Sequence, residues 1–218
     1  MNFKVNAIIP AGGTSSRFGN KNKLLEKINE KEVIKYTVEA FEASNVCKII
    51  ICANVAIMDD LKEILKDCKK VQIIEGGATR QASVFNGLKA DECDYVLIHD
   101  GARPMITTDL INLAIDEVVT KKALTVATKT VDTIKEVQDG KIIRTIDRSK
   151  LYNTQTPQAF QYDLIKNAHI KLFGQSYTDD AGMLEELGQT VYILNGSYKN
   201  IKITTQNDIE IAKVYLNN

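Results

Sequence analysis

The amino-acid sequence predicts an α/β fold: one domain, residues 1–218, built on a doubly wound, mostly parallel sheet, with a protruding β-arm at about 130–150. Three observations predict it. Apolar runs of strand type alternate with stretches of helical period as far as Lys121. The glycine- and charge-rich stretches fall where those strands end, which is where such sheets bind ligands. Beyond Ala123 the alternation gives way to a strand, a short hairpin and a polar segment.

The first strand is expected over 3–9, its apolar run closed by Pro10. Helix 32–44, strand 48–53, helix 57–67, strand 71–75, helix 79–89 and strand 94–98 follow. Helix 107–121 carries a clear start signal. Thr107 or Thr108 serves as N-cap, Asp109 lies in the first turn, and Leu110, Ile111, Ala114, Ile115 and Val118 share one face. Residues 124–130 read as a strand, and 133–137 with 141–145 as a hairpin across Gln138-Asp139-Gly140. A two-stranded ribbon is marginal alone, so it must lie back on the domain or reach another chain. Helices near 161–172 and 178–187, strands at 190–194 and near 200–204, and a helix at 206–216 complete the chain. The stretch 154–158 is assigned to no element.

The most informative stretch follows the first strand: Ala11-Gly12-Gly13-Thr14-Ser15-Ser16-Arg17-Phe18-Gly19, then Lys21 and Lys23. Adjacent glycines let backbone N–H groups turn toward an anion with no Cβ in the way. Arg17 adds a planar five-donor fork and Lys23 a compact charge, a set that suits a triphosphate. The bland alternative is a strand-to-helix turn with solvated cations. The loop has no Gly-Lys-Ser/Thr ending and so is no Walker loop. It also lacks Gly-x-Gly-x-x-Gly, which argues against a nicotinamide-dependent oxidoreductase.

A second cluster, Glu75-Gly76-Gly77-Ala78-Thr79-Arg80-Gln81-Ala82-Ser83, is either a ligand-binding helix N-terminus or a plain turn capped by Thr79. A third, His99-Asp100-Gly101-Ala102-Arg103-Pro104, puts a carboxylate and a cation where an α/β enzyme would hold Mg²⁺ against substrate phosphates. Its alternative is a structural Asp–Arg pair. His99 should alternate away from Asp100 and be structural.

Composition narrows the function classes. The 28 basic and 28 acidic side chains cancel, so there is no electrostatic footprint for nucleic acid or an anionic membrane, and any cationic site is local. Cys47, Cys52, Cys68 and Cys93 form no Cys-x-x-Cys pair and, with two histidines, offer neither zinc spacing nor a disulfide framework. Cys52 is expected to be a small buried hydrophobe. The N-terminal apolar run is too short for a signal peptide, and no run approaches membrane-spanning length, so a cytoplasmic location is expected.

Eight motifs occur in order: Ala11-Gly12-Gly13…Arg17…Lys23, Gly76-Gly77-x-x-Arg80-x-x-Ser83-Val84, His99-Asp100-x-Ala102-Arg103-Pro104, Asp132-Thr133, Asp147-Arg148, Thr156-Pro157-Gln158, Thr178-Asp179-Asp180 and Asn200-Ile201-Lys202-Ile203-Thr204. Across nearly the whole chain they resemble the 2-C-methyl-D-erythritol 4-phosphate cytidylyltransferases of non-mevalonate isoprenoid synthesis. The related ribitol 5-phosphate cytidylyltransferases of wall-polymer synthesis share most of them. The resemblance implies a nucleotide-diphospho-sugar transferase-like fold, CTP and a polyol phosphate as substrates, and Mg²⁺ as cofactor. It implies Arg17, Lys23 and Lys202 as catalytic residues, and Ala11, Gly12, Gly13, Gly76, Gly77, Arg80 and Ser83 as nucleotide-binding. Asp100 would bind the metal and, with Arg103, Thr133 and Arg148, the substrates; the last two would sit on or by an arm swapped across a homodimer.

Three positions depart from the family pattern. Asn22-Lys23-Leu24 replaces Pro-Lys-Gln, which leaves Lys21 as an alternative functional lysine. Asn200 is a weaker metal ligand than a carboxylate, and Ala78 offers no side-chain contact to a base. The implied attacking group is a phosphate monoester whose second pKa is about 6, so it is largely ionised at neutral pH and needs no general base.

Overall fold

The computed structural model describes residues 3–13, 18 and 22–216. In chain order the body holds β1 (Val5–Ala11), the short pair β2 (Lys27–Ile28) and β3 (Lys31–Glu32), α1 (Val33–Glu42), β4 (Lys48–Ala53) and α2 (Met58–Ile64). Then come β5 (Val71–Glu75), α3 (Arg80–Ala90), β6 (Tyr95–Ile98), α4 (Thr108–Lys121) and β7 (Ala123–Lys129). The arm is β8 (Ile134–Gln138) with β9 (Lys141–Ile146), after which β10 (Tyr152–Gln161), α5 (Tyr162–Lys171), α6 (Asp180–Glu186), β11 (Tyr192–Asn195) and α7 (Gln206–Leu216) close the fold.

Among the described residues the main sheet has seven strands in the order β11-β7-β10-β6-β1-β4-β5. Every neighbouring pair is parallel except those of β10, which runs antiparallel to both β6 and β7. Helices cover both faces, so the central strands are apolar on both sides. Ala7 and Ile9 of β1 pack with α1, α4 and α7 through Val38, Phe41, Ile115 and Ile209. Ile8 turns to the opposite face, against Val84 and Leu88 of α3, Ile165 of α5 and Leu184 of α6. Cys52 lies there fully buried, and burial pushes its thiol up to about 12, which suits a small hydrophobe.

Pro10 does not end β1; the strand runs on to Ala11. Its missing N–H faces the side where pairing with β6 has already stopped at Ile8–Ile98, whereas Ala11 still accepts from Asn54 on the β4 side. A proline costs nothing at such an edge. Thr107 proves to be the N-cap of α4, its hydroxyl accepting from the Leu110 N–H at 3.3 Å. The hairpin turn places Asp139 at φ 49° and Gly140 at φ 75°, the doubly left-handed geometry that favours Asp-Gly.

Two expectations are corrected. Residues 154–158 lie inside β10, a ten-residue strand between β7 and β6, with Gln155, Thr156 and Gln158 buried. They look like a loop because their polar groups are satisfied inside the protein, and Pro157 falls where the pairing with β7 shifts register. Residues 200–204 form no strand. Ile203 is buried and its N–H reaches the Ala102 carbonyl at 2.8 Å, but the backbone joins no ladder.

Candidate functional site

Asp100 follows β6 at the carboxyl end of the parallel strands. Its backbone N–H donates to the Thr156 hydroxyl of β10 at 3.0 Å, and that hydroxyl lies 3.0 Å from His99 Nδ1. The Arg103 carbonyl, 3.5 Å from Nε2, can only accept, so Nε2 of the neutral ring carries the proton and the Thr156 hydroxyl donates to Nδ1. His99 is fully buried, and burial lowers it to about 3. It is therefore a neutral buttress rather than a base, as its alternation with Asp100 predicts.

Three cations surround the Asp100 carboxylate: Lys202 Nζ at 2.6 Å, Arg80 Nε at 3.2 Å and Arg103 Nε at 3.9 Å. Burial pushes the carboxyl up, but Arg80, Lys202 and Arg103 outweigh it and hold it well below the usual carboxylate range. Burial lowers Arg103, with Asp100 offsetting part of the cost, and its Nη1 is anchored on the Asn200 carbonyl at 2.8 Å. Asp100 is thus an anionic hub among three cations.

Arg80, Asp100 and Lys202 form a wall common to two cavities. One, of about 320 Å³, is closed by Pro10 to Gly13, Lys23, Leu24, Ala78, Thr79 and Ser83. The other, of about 250 Å³, is closed by Arg103, Thr154, Gln155, Thr156, Gln158, Thr178 and Asp179. The first joins the N-terminal glycine loop to the start of α3; the second lies over β10 and the start of α6.

Most of the site residues expected from sequence converge here. Ala11, Gly12, Gly13, Lys23, Arg80, Ser83, Asp100 and Lys202 border the first cavity, and Arg103 the second. Lys23 Nζ donates to the Ile203 carbonyl at 2.7 Å, tying the N-terminal loop to the Lys202 segment. Gly76 and Gly77 line neither of the two cavities. A Cβ on Gly77 would come within 2.4 Å of Ala82 Cβ, so this glycine lets the turn close on α3, and Ser83 Oγ accepts the Gly77 N–H at 3.0 Å. The capping reading of the second cluster holds, since Thr79 caps α3 through the Ala82 N–H at 3.0 Å; Thr79 also lines the first cavity.

Arg17 and Lys21 lie outside the described residues. Thr133 and Arg148 are exposed on the arm, away from both cavities, with Arg148 donating to the Val131 carbonyl. Thr156, Gln158 and Asp180 carry no role of their own in the sequence motifs, yet all three are buried polar side chains beside the site. Among the described residues no cluster of three or more His, Cys, Asp or Glu is placed to hold a metal. Asn200 donates its amide to Gln155 and to the Thr156 carbonyl, so it braces β10. A cation at Asp100 would have one protein carboxylate and would rely on phosphate oxygens and water, which is how Mg²⁺ is usually held.

His99 also sets a pH dependence. Its folded pKa is depressed, so below about 6.5 the unfolded chain takes up a proton that the folded chain refuses until about 3. Its share of stability is complete above pH 6.5 and falls by about 1.4 kcal/mol per pH unit below it. Melting curves from pH 7 to 4 should show this slope in the wild type and lose it in His99→Gln. An equal slope in both would exclude His99 as its source.

A family model described as 2-C-methyl-D-erythritol 4-phosphate cytidylyltransferase matches residues 5–218. A protein of that name from Clostridioides difficile is 41% identical, with 96% of this chain and 92% of that protein aligned. Another, from Bacillus cytotoxicus, is 42% identical over 96% of each. Among solved structures, the 4-diphosphocytidyl-2C-methyl-D-erythritol synthase of Anaerococcus prevotii superposes with a TM-score of 0.89 at 32% identity, covering 99% of this chain and 96% of that one. The 2-C-methyl-D-erythritol 4-phosphate cytidylyltransferase of Thermus thermophilus gives 0.85 at 26% identity, covering 99% and 100%. Matching motifs, a shared sheet and end-to-end alignment lead to one conclusion: the chain belongs to the 2-C-methyl-D-erythritol 4-phosphate cytidylyltransferase family.

Proposed function

We propose that this protein transfers the cytidylyl group of CTP to 2-C-methyl-D-erythritol 4-phosphate, giving 4-diphosphocytidyl-2-C-methyl-D-erythritol and pyrophosphate. The observation that carries the reading is the wall of Arg80, Asp100 and Lys202 between two cavities. A transfer between two phosphates needs two anion pockets that meet at the reacting phosphorus. The glycine-loop cavity takes the nucleotide, with Gly12 and Gly13 leaving amides exposed to the triphosphate. The cavity over β10 takes the acceptor, with Arg103 for its phosphate and Thr154, Thr156 and Thr178 for its hydroxyls.

In the reaction an ionised oxygen of the acceptor phosphate attacks the α-phosphorus of CTP. The new P–O bond forms as the α–β bridge breaks, and pyrophosphate leaves with the bonding electrons. No proton moves, which agrees with a buried, neutral His99. The chain's task is alignment and charge neutralisation. Lys202 is held on Asp100 at 2.6 Å and is ready to exchange that carboxylate for the reacting phosphates. Arg17 and Lys23 would cover the negative charge that builds on the nucleotide. Mg²⁺ at Asp100 would supply further neutralisation of phosphate oxygens when bound.

The arm, at about 130–150, serves a homodimer in this reading. It exposes Val131, Val137, Ile142 and Ile143, each more than half accessible, on a ribbon too small to fold alone. Thr133 and Arg148 would then complete the acceptor site of the partner. In this reading the enzyme works in the cytoplasm, where CTP is made.

Pyrophosphate release from CTP, measured with methylerythritol phosphate and with ribitol 5-phosphate in turn, tests the assignment. Turnover with the first supports it, turnover with only the second replaces the acceptor, and turnover with neither removes the reaction. The arm has its own test. Mixing inactive Arg148→Ala with inactive Lys23→Ala subunits should restore activity, because one of the two sites in a mixed dimer carries neither change. No recovery despite proven subunit exchange would mean that each site is built from one chain.

A further inference from the structure

Arg80 is gripped from two sides. Its Nε reaches Asp100 Oδ1 at 3.2 Å, while its Nη1 reaches Asp180 Oδ2 at 2.7 Å, the shorter contact. Asp180 opens α6, and its side chain is only 1% exposed. Burial pushes its carboxyl up, and Arg80 and His169 more than reverse the shift, so it stays charged. His169 Nε2 lies 3.4 Å from Asp180 Oδ1, and its ring is stacked on Phe85 of α3 at 5.7 Å.

The placing of Asp180 is itself over-determined. Gln158 Oε1 accepts the backbone N–H groups of Asp180 at 3.0 Å and Ala181 at 3.2 Å. Gln158 Nε2 donates to Asp179 and to Thr125, both at 2.9 Å, so this fully buried amide uses both ends. Gln158 shares β10 with Thr156, which holds the backbone of Asp100. One strand therefore sets both carboxylates between which Arg80 is stretched.

We propose that Asp180 is a positioning residue for the transfer: it draws Arg80 away so that Arg80 takes only one Asp100 oxygen and leaves the other to Lys202. An unrestrained guanidinium closes on a carboxylate through two parallel N–H···O bonds. Without Asp180, Arg80 would take both Asp100 oxygens, displace Lys202 and shut the wall between the cavities. With Asp180 in place, Arg80 offers Asp100 a single Nε contact. This inference rests on the functional reading above, in which the shared wall is where the two phosphates meet.

The test is a double-mutant cycle with Asp180→Asn and Arg80→Met. Asp180→Asn should weaken CTP binding, read by calorimetry, about tenfold and lower kcat by a similar factor. In the Arg80→Met background the same change should alter neither by more than about twofold, since the residue through which it acts is gone. Arg80→Met strands a buried carboxylate, so the double variant should also melt above the Arg80→Met single. Equal losses in both backgrounds, or wild-type CTP binding in Asp180→Asn, would overturn the proposal. Failure of the functional reading looks different: the wild type would bind CTP without transferring it, while the cycle in CTP affinity would still decide the role of Asp180.

Discussion

Lys23→Ala should lower kcat by about 10²–10³, a loss of about 2.7–4 kcal/mol if this cation acts like an oxyanion-hole donor. Lys23 borders the glycine-loop cavity, and its ammonium sits 2.7 Å from the Ile203 carbonyl, one residue from Lys202. It stands where charge on the nucleotide phosphates must be matched, and its loop is tied to the segment that carries the second lysine. Arg17→Ala should cost a similar factor. The measurement is kcat at saturating CTP and acceptor, with Lys21→Ala in parallel. Near wild-type turnover in Lys23→Ala with a collapse in Lys21→Ala would transfer the role to Lys21.

Asp100→Asn is the second large effect, and it strikes in two ways. The Mg²⁺ concentration for half-maximal rate should rise at least about tenfold, because the only carboxylate on the shared wall is gone. The fold should also weaken. Arg80 and Arg103 lose a buried counter-charge, and breaking such a pair typically costs about 3–5 kcal/mol. Lys202 is 41% exposed and contributes little to that figure, since water screens it. Thermal melting and a magnesium titration separate the two effects. An unchanged titration in a folded variant would leave Asp100 as a structural hub only.

The first half of the fold is legible because its physics is local. β1, β4 and β6 are apolar runs buried on both faces, and α1 and α4 each carry an apolar stripe, so the order of these elements can be read before any contact is known. β10 is not legible in this way. Its Thr-Gln-Thr-Pro-Gln run looks solvated, yet these polar groups are matched by partners far away in sequence: Asp100, His99, Thr125, Asp179 and Asp180. Residues 200–204 mislead in the opposite direction, since buried Ile203 suggests a strand while its backbone bonds a loop.

The site divides along the same line. Lys23, Asp100, Arg103 and Lys202 stand out because charge at strand ends has a chemical use. Asp180 and Gln158 act through other residues. Their importance appears only when the buried partners are counted.

β10 runs against its neighbours, and that single reversal decides the anatomy of the rim. β7 finishes at the carboxyl edge of the sheet, and β10 sets out from that edge, so both roots of the ribbon leave the sheet on one side. Had β10 been parallel, the excursion between them would have needed to return across the whole body. The ribbon is instead an appendage grafted at that edge. It forms a sheet of its own, so a change in its length or side chains would leave the pairing of β6, β7 and β10 untouched.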